Sequence, residues 1–246
     1  MAKLALVTGV GGGTGVSIVR RFARAGYRVA MLARDPARLA DYAREIADTL
    51  AYPVDVGDAP GFAAVLDRVT AEQGVPDVVI HNAVAATFAR FDAVTIETFE
   101  RNFRVNASAL LQLAQAFAPA MVARGAGAII VTGNTASLRG VPTYAGFAPT
   151  KAAQRILAQA LAKDLGPQRV HVANVVIDGP IAAPWLAGPD GRHPFKPPAD
   201  SPYAYEDHFA QPDAIADEVF HIAHQHPSVW SFDHVIRPFT ERWTLN

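Results

Sequence analysis

The chain predicts an α/β fold, a single doubly wound domain with a mostly parallel sheet over residues 1–246. Three observations carry that reading. Short apolar runs alternate with longer helical patterns from the N-terminus to about residue 176, the pattern of repeated βαβ units. A glycine-rich turn follows the first apolar run directly. No internal repeat or low-complexity linker divides the 246 residues, half of which are hydrophobic, enough for one large core.

In chain order the predicted strands are Lys3–Thr8, Arg28–Ala33, Ala51–Val54, Asp77–His81, Gly127–Thr132 and His171–Val176. They are almost continuously apolar, as expected when helices cover both sheet faces. Helices are predicted from near Thr14, Pro36, Ala59, Ile96 and Thr143. The second has a clear start, with Asp35 as N-cap and Pro36 in the first turn. After Ile177 the pattern changes. Residues 184–203 (PWLAGPDGRHPFKPPADSPY) are too rich in Pro and Gly for a core element and too long for an ordinary connection. A substrate loop at about 184–210 is the expectation, partly aromatic through Trp185, Phe195, Tyr203 and Tyr205, because ligands of open α/β sheets bind at strand ends such as the one it follows. Helical periodicity returns at Pro212–Gln225, and Ser228–Arg237 reads as a last strand.

Composition excludes several function classes. With 22 Lys+Arg against 23 Asp+Glu, the net charge of −1 argues against nucleic acid as a partner. The absence of cysteine removes disulfides, thiolate metal sites and cysteine nucleophiles, and fits a reducing compartment. Leu4–Val7 is too short for a secretory signal, and Ala109–Ala123, broken by Gln112, Gln115 and Pro119, falls short of the roughly 20 residues needed to span a bilayer. A cytoplasmic protein with no membrane partner is expected. In the cluster from His221 to His226, His221 and His224 form an i, i+3 pair, but no third ligand stands at a clear spacing, so no metal site is expected.

The sharpest motif is Thr8 to Gly15, reading TGVGGGTG between the first strand and the first helix. Gly9, Gly11, Gly12, Gly13 and Gly15 allow a tight turn and a close backbone approach, and Thr14 opens a helix whose positive end suits a pyrophosphate. Together with its place after a first strand, this makes a Rossmann-type dinucleotide site. At the end of the second strand, where an acidic residue would accept bonds from the ribose of NAD, stands Arg34, which can grip a 2′-phosphate. NADP(H) is therefore the preferred cofactor, while Asp35, one residue on, leaves NAD(H) open.

By these residues the chain resembles the short-chain dehydrogenase/reductase family over nearly its whole length. The resemblance implies adenine contacts for Asp55 and Val56, a place under the adenosine ribose for Asn82 and Ala83, and cofactor contacts for Gly179, Pro180 and Ile181. It implies that Asn106 anchors a water linking the active-site lysine to solvent, and that Lys151 binds the nicotinamide ribose. It also implies assembly as a homodimer or homotetramer and a small-molecule substrate.

The chain departs from the family where its acid stands. The family's Tyr-x-x-x-Lys reads Phe147 to Lys151, and the usual Ser, thirteen residues before the Tyr, is Asn134. Val84 replaces the Gly of the Asn-Asn-Ala-Gly motif, and Asp178-Gly179 replaces Pro-Gly. Phe147 has no proton to give. Tyr144, seven residues before Lys151, resembles in spacing the tyrosine of enoyl-acyl carrier protein reductases; on one helix the two would share nearly one face, about 10 Å apart along the axis. It is either the proton source or a packing residue. Asn134 is either an amide donor to a developing oxyanion or a turn residue after Gly133. Asp178 is either a pocket acid or part of an Asp-Gly-Pro turn. Phe147, Asp178 and Trp185 are expected in the substrate pocket. The predicted function is an NADP(H)-dependent oxidoreductase with a modified site, acting on an activated C=C bond, an imine or a reactive carbonyl. The alternative is a cofactor-binding protein without redox turnover, such as a sensor, an assembly subunit, or a lyase or isomerase.

Overall fold

The computed structural model describes residues 2–183 and 195–241. Within them, seven strands form one parallel sheet in the order β3-β2-β1-β4-β5-β6-β7. The strands are β1 Leu4–Thr8, β2 Arg28–Ala33, β3 Thr49–Pro53, β4 Val78–His81, β5 Gly127–Asn134, β6 Val170–Ile177 and β7 Asp233–Ile236. The inner strands are buried along nearly their whole length, and mostly apolar, because helices cover both faces of the sheet.

On one face lie α3 (Ala59–Gln73), α5 (Ala109–Arg124) and α6 (Ala148–Leu165), burying Phe62, Leu110, Leu113, Phe117 and Met121 against β4 and β5. On the other lie α1 (Thr14–Arg24), α2 (Pro36–Glu45) and α7 (Pro212–Ala223), burying Phe22, Leu39, Ile215 and Val219. Chain order reverses between β1 and β4, which are neighbours in the sheet. That switch point opens a crevice at the strands' carboxyl ends, where ligands of such sheets bind.

The helix α4 (Ile96–Phe103) passes through a π turn at Arg104–Ser108 into α5. The resulting run Ile96–Arg124 has 29 residues, so the expectation of a stretch too short to cross a membrane is corrected. By length and composition it is long enough, but Leu110, Leu113, Phe117 and Met121 are wholly buried in the core.

Other boundaries differ from expectation for local reasons. The strand predicted at Ala51–Val54 begins at Thr49, because pairing with β2 runs from Val29 opposite Thr49. The last strand is Asp233–Ile236 and not Ser228–Arg237, since Pro227–Val229 form a 3-10 turn and the Trp230 ring stacks on His171. The helix predicted from near Thr143 begins at Ala148. Pro149 has no N–H and is suited to a helix's first turn, so Tyr144 falls outside the helix.

The Asp35 cap is as expected: its Oδ1 accepts from the Arg38 N–H at 3.1 Å. Replacing Asp35 by Ala leaves that N–H without its partner and is expected to cost about 1 kcal/mol. Urea unfolding of the variant against the parent measures it, and an unchanged midpoint would show that Pro36 alone starts the helix.

Candidate active site

The glycine turn sits at the switch point. Gly9 has φ +70°, and a Cβ there would lie 2.5 Å from the Ala83 Cα, so only glycine lets β1 and β4 close together at this level. A Cβ on Gly15 would meet the Gly9 carbonyl at 2.4 Å. Gly11 faces open space, and Gly12 has only the Tyr42 hydroxyl near, at 3.8 Å. Gly13 precedes α1, which carries no side-chain cap and no acid in its first turn. Thr14 is buried at the helix start.

Around this turn the predicted contacts have protein partners of their own. Asn82 donates from Nδ2 to the Gly9 carbonyl at 2.9 Å and accepts from the Thr132 hydroxyl at 3.2 Å, tying β4 to the turn and to β5. Asp55 accepts from Gly57 N at 2.9 Å and from Arg101 at 3.1 Å. Burial alone raises its pKa, but those two partners and the more distant charge of Arg34 outweigh it and hold the carboxyl below its usual range. Val56 is buried in the core, while Arg34 is exposed at the end of β2.

At the other end of the crevice a polar network surrounds the N-terminus of α6. The π turn carries Asn106, whose Nδ2 donates to the Ala85 carbonyl and to Thr150 Oγ1, both at 2.8 Å, while its Oδ1 accepts from Ala85 N at 3.0 Å. Such one-residue bulges often mark functional sites because they re-aim a backbone carbonyl. Here the Asn106 carbonyl accepts from Gln154 Nε2 at 2.9 Å. One turn earlier, Asn102 bonds the Gly146 carbonyl and Thr87, fixing the loop before α6.

Lys151 is buried, and its Nζ donates to the Thr132 carbonyl at 3.0 Å and to Gln154 Oε1 at 2.7 Å. Burial pushes its pKa down to about 7. His81 is wholly buried; its Nδ1 lies 3.0 Å from the Thr8 hydroxyl and its Nε2 3.1 Å from the Val105 carbonyl. Burial first, then the Lys151 charge, push its pKa to about 4, so the ring is neutral. Thr8 Oγ1 accepts from Asn82 N and Ala83 N, so its own proton goes to Nδ1 and the ring proton sits on Nε2.

Phe147 is 5 % exposed at the entry to α6, packed with Ala136, Ala148 and Tyr144. Tyr144 bridges to Ala89 in the preceding turn, so the shared helix face expected of Tyr144 and Lys151 does not exist. The two rings are 6.2 Å apart, and Phe88 touches both, at 5.1 Å from Tyr144 and 5.2 Å from Phe147. Asn134 Oδ1 accepts from Ala136 N at 2.6 Å, which is the turn role; only its Nδ2 is left as a side-chain donor.

Asp178 is neither a simple turn residue nor an open acid. It is 2 % exposed, and its Oδ2 lies 3.3 Å from Arg237 Nη1 in an ion pair across the tops of β6 and β7. Gly179 has φ +135° with Pro238 close above it, and Pro180 and Ile181 pair with Ala210, where the loop returns. Phe195 and Tyr205 pack on Phe209. Trp185 lies outside the described residues.

Sequence reasoning overlooked Gln154, Thr150, Asn102 and Phe88. The one signal for Gln154 was its i+3 spacing from Lys151, which places the two side by side on a helix.

Comparison with known proteins agrees with this geometry. Residues 3–187 match the family model described as short chain dehydrogenase. The L-xylulose reductase of Bos taurus is 36% identical over 171 residues, covering 69% of this chain and 68% of that protein. A solved alcohol dehydrogenase from the archaeon Thermococcus sibiricus, complexed with 5-hydroxy-NADP, has a TM-score of 0.82 at 26% identity and covers 98% of both chains. A metagenomic short-chain oxidoreductase in complex with NADP has a TM-score of 0.80 at 26% identity, over 96% of this chain and 97% of that one. With its parallel sheet, its glycine turn at the switch point and the match over residues 3–187, this chain belongs to the short-chain dehydrogenase family of oxidoreductases.

Proposed function

We propose that this chain is an NADP(H)-dependent oxidoreductase with a modified active site, reducing an activated C=C bond, an imine or a reactive carbonyl of a small molecule. The observation that carries the reading is Lys151, buried in a polar network one helical turn after a phenylalanine, at the head of a crevice whose glycine turn stands open.

The residues fit a dinucleotide. Gly11 and Gly12 leave the space that a Cβ would fill, and the first turn of α1 has neither capping side chain nor acid to compete with a pyrophosphate. Arg34, exposed at the end of β2, would meet a 2′-phosphate with charge-assisted bonds. Asp55 and Val56 would border the adenine, Asn82 and Ala83 its ribose, Lys151 the nicotinamide ribose, and Gly179, Pro180 and Ile181 the nicotinamide. Bound there, the cofactor supplies two electrons and one hydrogen to a substrate carbon. The chain's part is to orient the acceptor against Phe147 and Tyr144, to offer Asn134 Nδ2 as a polar contact, and to place the Lys151 charge near any developing anion. Relatives with NADP or 5-hydroxy-NADP bound support the cofactor assignment.

Leu111 on α5 and Ile156 on α6, 41% and 56% exposed, give those helices an apolar surface for a homodimer or homotetramer. The lack of cysteine fits the cytoplasm.

Titration with NADPH and NADH, followed by cofactor fluorescence, tests the reading. NADPH is expected to bind tighter, and Arg34→Ser is expected to reduce that preference about tenfold, the loss of one charge-assisted contact. Saturable binding of neither nucleotide would overturn the assignment.

A further inference from the structure

Two features at the head of α6 bear on the acceptor. The first is where the bonds from Lys151 lead. Its Nζ donates to the Thr132 carbonyl and to Gln154 Oε1, and Gln154 donates onward to the Asn106 carbonyl. Carbonyl oxygens have no proton to give, and a carboxamide nitrogen does not surrender its protons near neutral pH. His81 faces the same Asn106 carbonyl at 3.2 Å, but its one ring proton is already spent on that carbonyl and on Val105. Among the described residues, the hydrogen bonds of Lys151 therefore end on acceptors, and Gln154 fills the gap between Nζ and the Asn106 carbonyl. Phe147, one turn earlier, adds only C–H to the same wall, and among the described residues no hydrogen bond joins the Tyr144 hydroxyl to this network, so nothing in it can return a proton to that phenol.

The second feature is Phe88, which is 62% exposed although it touches the rings of both Tyr144 and Phe147. Three aromatic rings meet there in a corner that is buried on one side and open on the other. The electron-rich faces of such rings attract a cation, and more strongly when it is partly desolvated.

We propose that this site takes a preformed iminium cation, seated against Phe88, Tyr144 and Phe147, an acceptor whose reduction asks the protein for no proton. The inference rests on the oxidoreductase reading above and narrows its three acceptor classes to one. A ketone must gain a proton on oxygen, and an activated C=C bond must gain one on carbon. An iminium needs neither. Its carbon gains a C–H bond, its C=N π pair becomes the nitrogen lone pair, and its positive charge passes to the nicotinamide ring of the reduced pyridine dinucleotide that supplies the two electrons. Atoms, electrons and charge balance without a proton entering or leaving. Gln154 is then a positioning residue that holds Lys151 Nζ and closes a route this chemistry does not use.

The test is equilibrium binding to the full chain saturated with NADPH, followed by ligand NMR. The probes are benzyltrimethylammonium, a permanent cation that cannot be reduced, and its uncharged carbon isostere, neopentylbenzene. The cation is expected to bind about tenfold tighter than the isostere, within the range of a partly desolvated cation–π contact. Phe88→Leu, which keeps an apolar side chain at an exposed position, is expected to lower the cation's affinity about fivefold and leave the isostere's unchanged. Equal affinity of the two probes, or equal losses in the variant, would overturn the acceptor class. If those results come with normal NADPH binding, the oxidoreductase reading survives them. Absence of saturable NADPH binding overturns that reading and the iminium assignment with it.

Discussion

Replacing Phe147 by Tyr together with Asn134 by Ser is expected to raise NADPH-dependent turnover of simple ketones by about 10² to 10⁴, the usual worth of a positioned general acid. A ketone taking up hydride places negative charge on oxygen, and the parent chain offers no hydroxyl at position 147 to meet it. The amide of Asn134 polarises without protonating, and its Oδ1 is already committed to Ala136 N. A tyrosine at 147 would stand one turn before Lys151, whose positive charge favours the phenolate and so eases proton release. The Phe147 ring is itself buried, and the exposed Phe88 ring beside it is the neighbour that can give way to the added oxygen. Initial rates at saturating NADPH, compared between parent and double variant, measure the gain. Unchanged rates with intact NADPH binding would mean that position 147 does not face the reacting carbon.

The sheet and its glycine turn were largely legible in the sequence, and the packing around the head of α6 was not. Strands such as Leu4–Thr8 and Val78–His81 announce themselves because burial on both faces makes them apolar runs up to their last residue. The glycine turn is legible for a steric reason: Gly9 and Gly15 meet backbone at distances no Cβ permits. Asp35 before Pro36 is a cap by chemistry alone. Tyr144 misled because periodicity runs smoothly through Thr143 to Lys151, while Pro149 and the turn at Gly146 decide where the helix begins. Gln154 looks like one polar residue on an amphipathic helix, and only the π turn at Arg104–Ser108 brings the Asn106 carbonyl to it. Phe88 sits in a loop with no period to read, and its partners are more than fifty residues away in sequence. The ion pair between Asp178 and Arg237 likewise depends on β6 and β7 being neighbours.

Raising the pH from 7 towards 9.5 is expected to stabilise the folded chain through Lys151, by up to about 1.4 kcal/mol per pH unit. Burial lowers the folded pKa of this amine from 10.5 to about 7. Below pH 7 both folded and unfolded chains hold the proton, and the full penalty of burying the ammonium is felt. Between 7 and 10.5 the unfolded chain holds a proton that the folded one has released, so stability climbs with pH. Above 10.5 neither holds it, and the contribution is flat. The window is clean because the other strongly shifted groups titrate outside it. His81, lowered to about 4 from 6.5, adds stability between those values and none above them. Tyr27, raised to about 12 from 10.0 by burial and by the charge of Asp77, acts with the opposite sign only above pH 10. Urea unfolding at pH 7, 8 and 9.5 should therefore show a rising midpoint in the parent and a nearly flat one in Lys151→Met. A parent slope of zero would mean that the bonds to Thr132 and Gln154 outweigh burial and keep the ammonium charged. Cofactor binding provides the functional side of the same titration. An anionic dinucleotide favours the charged form of Lys151, so NADPH affinity is expected to fall as pH rises through 7, and this dependence should disappear in Lys151→Met.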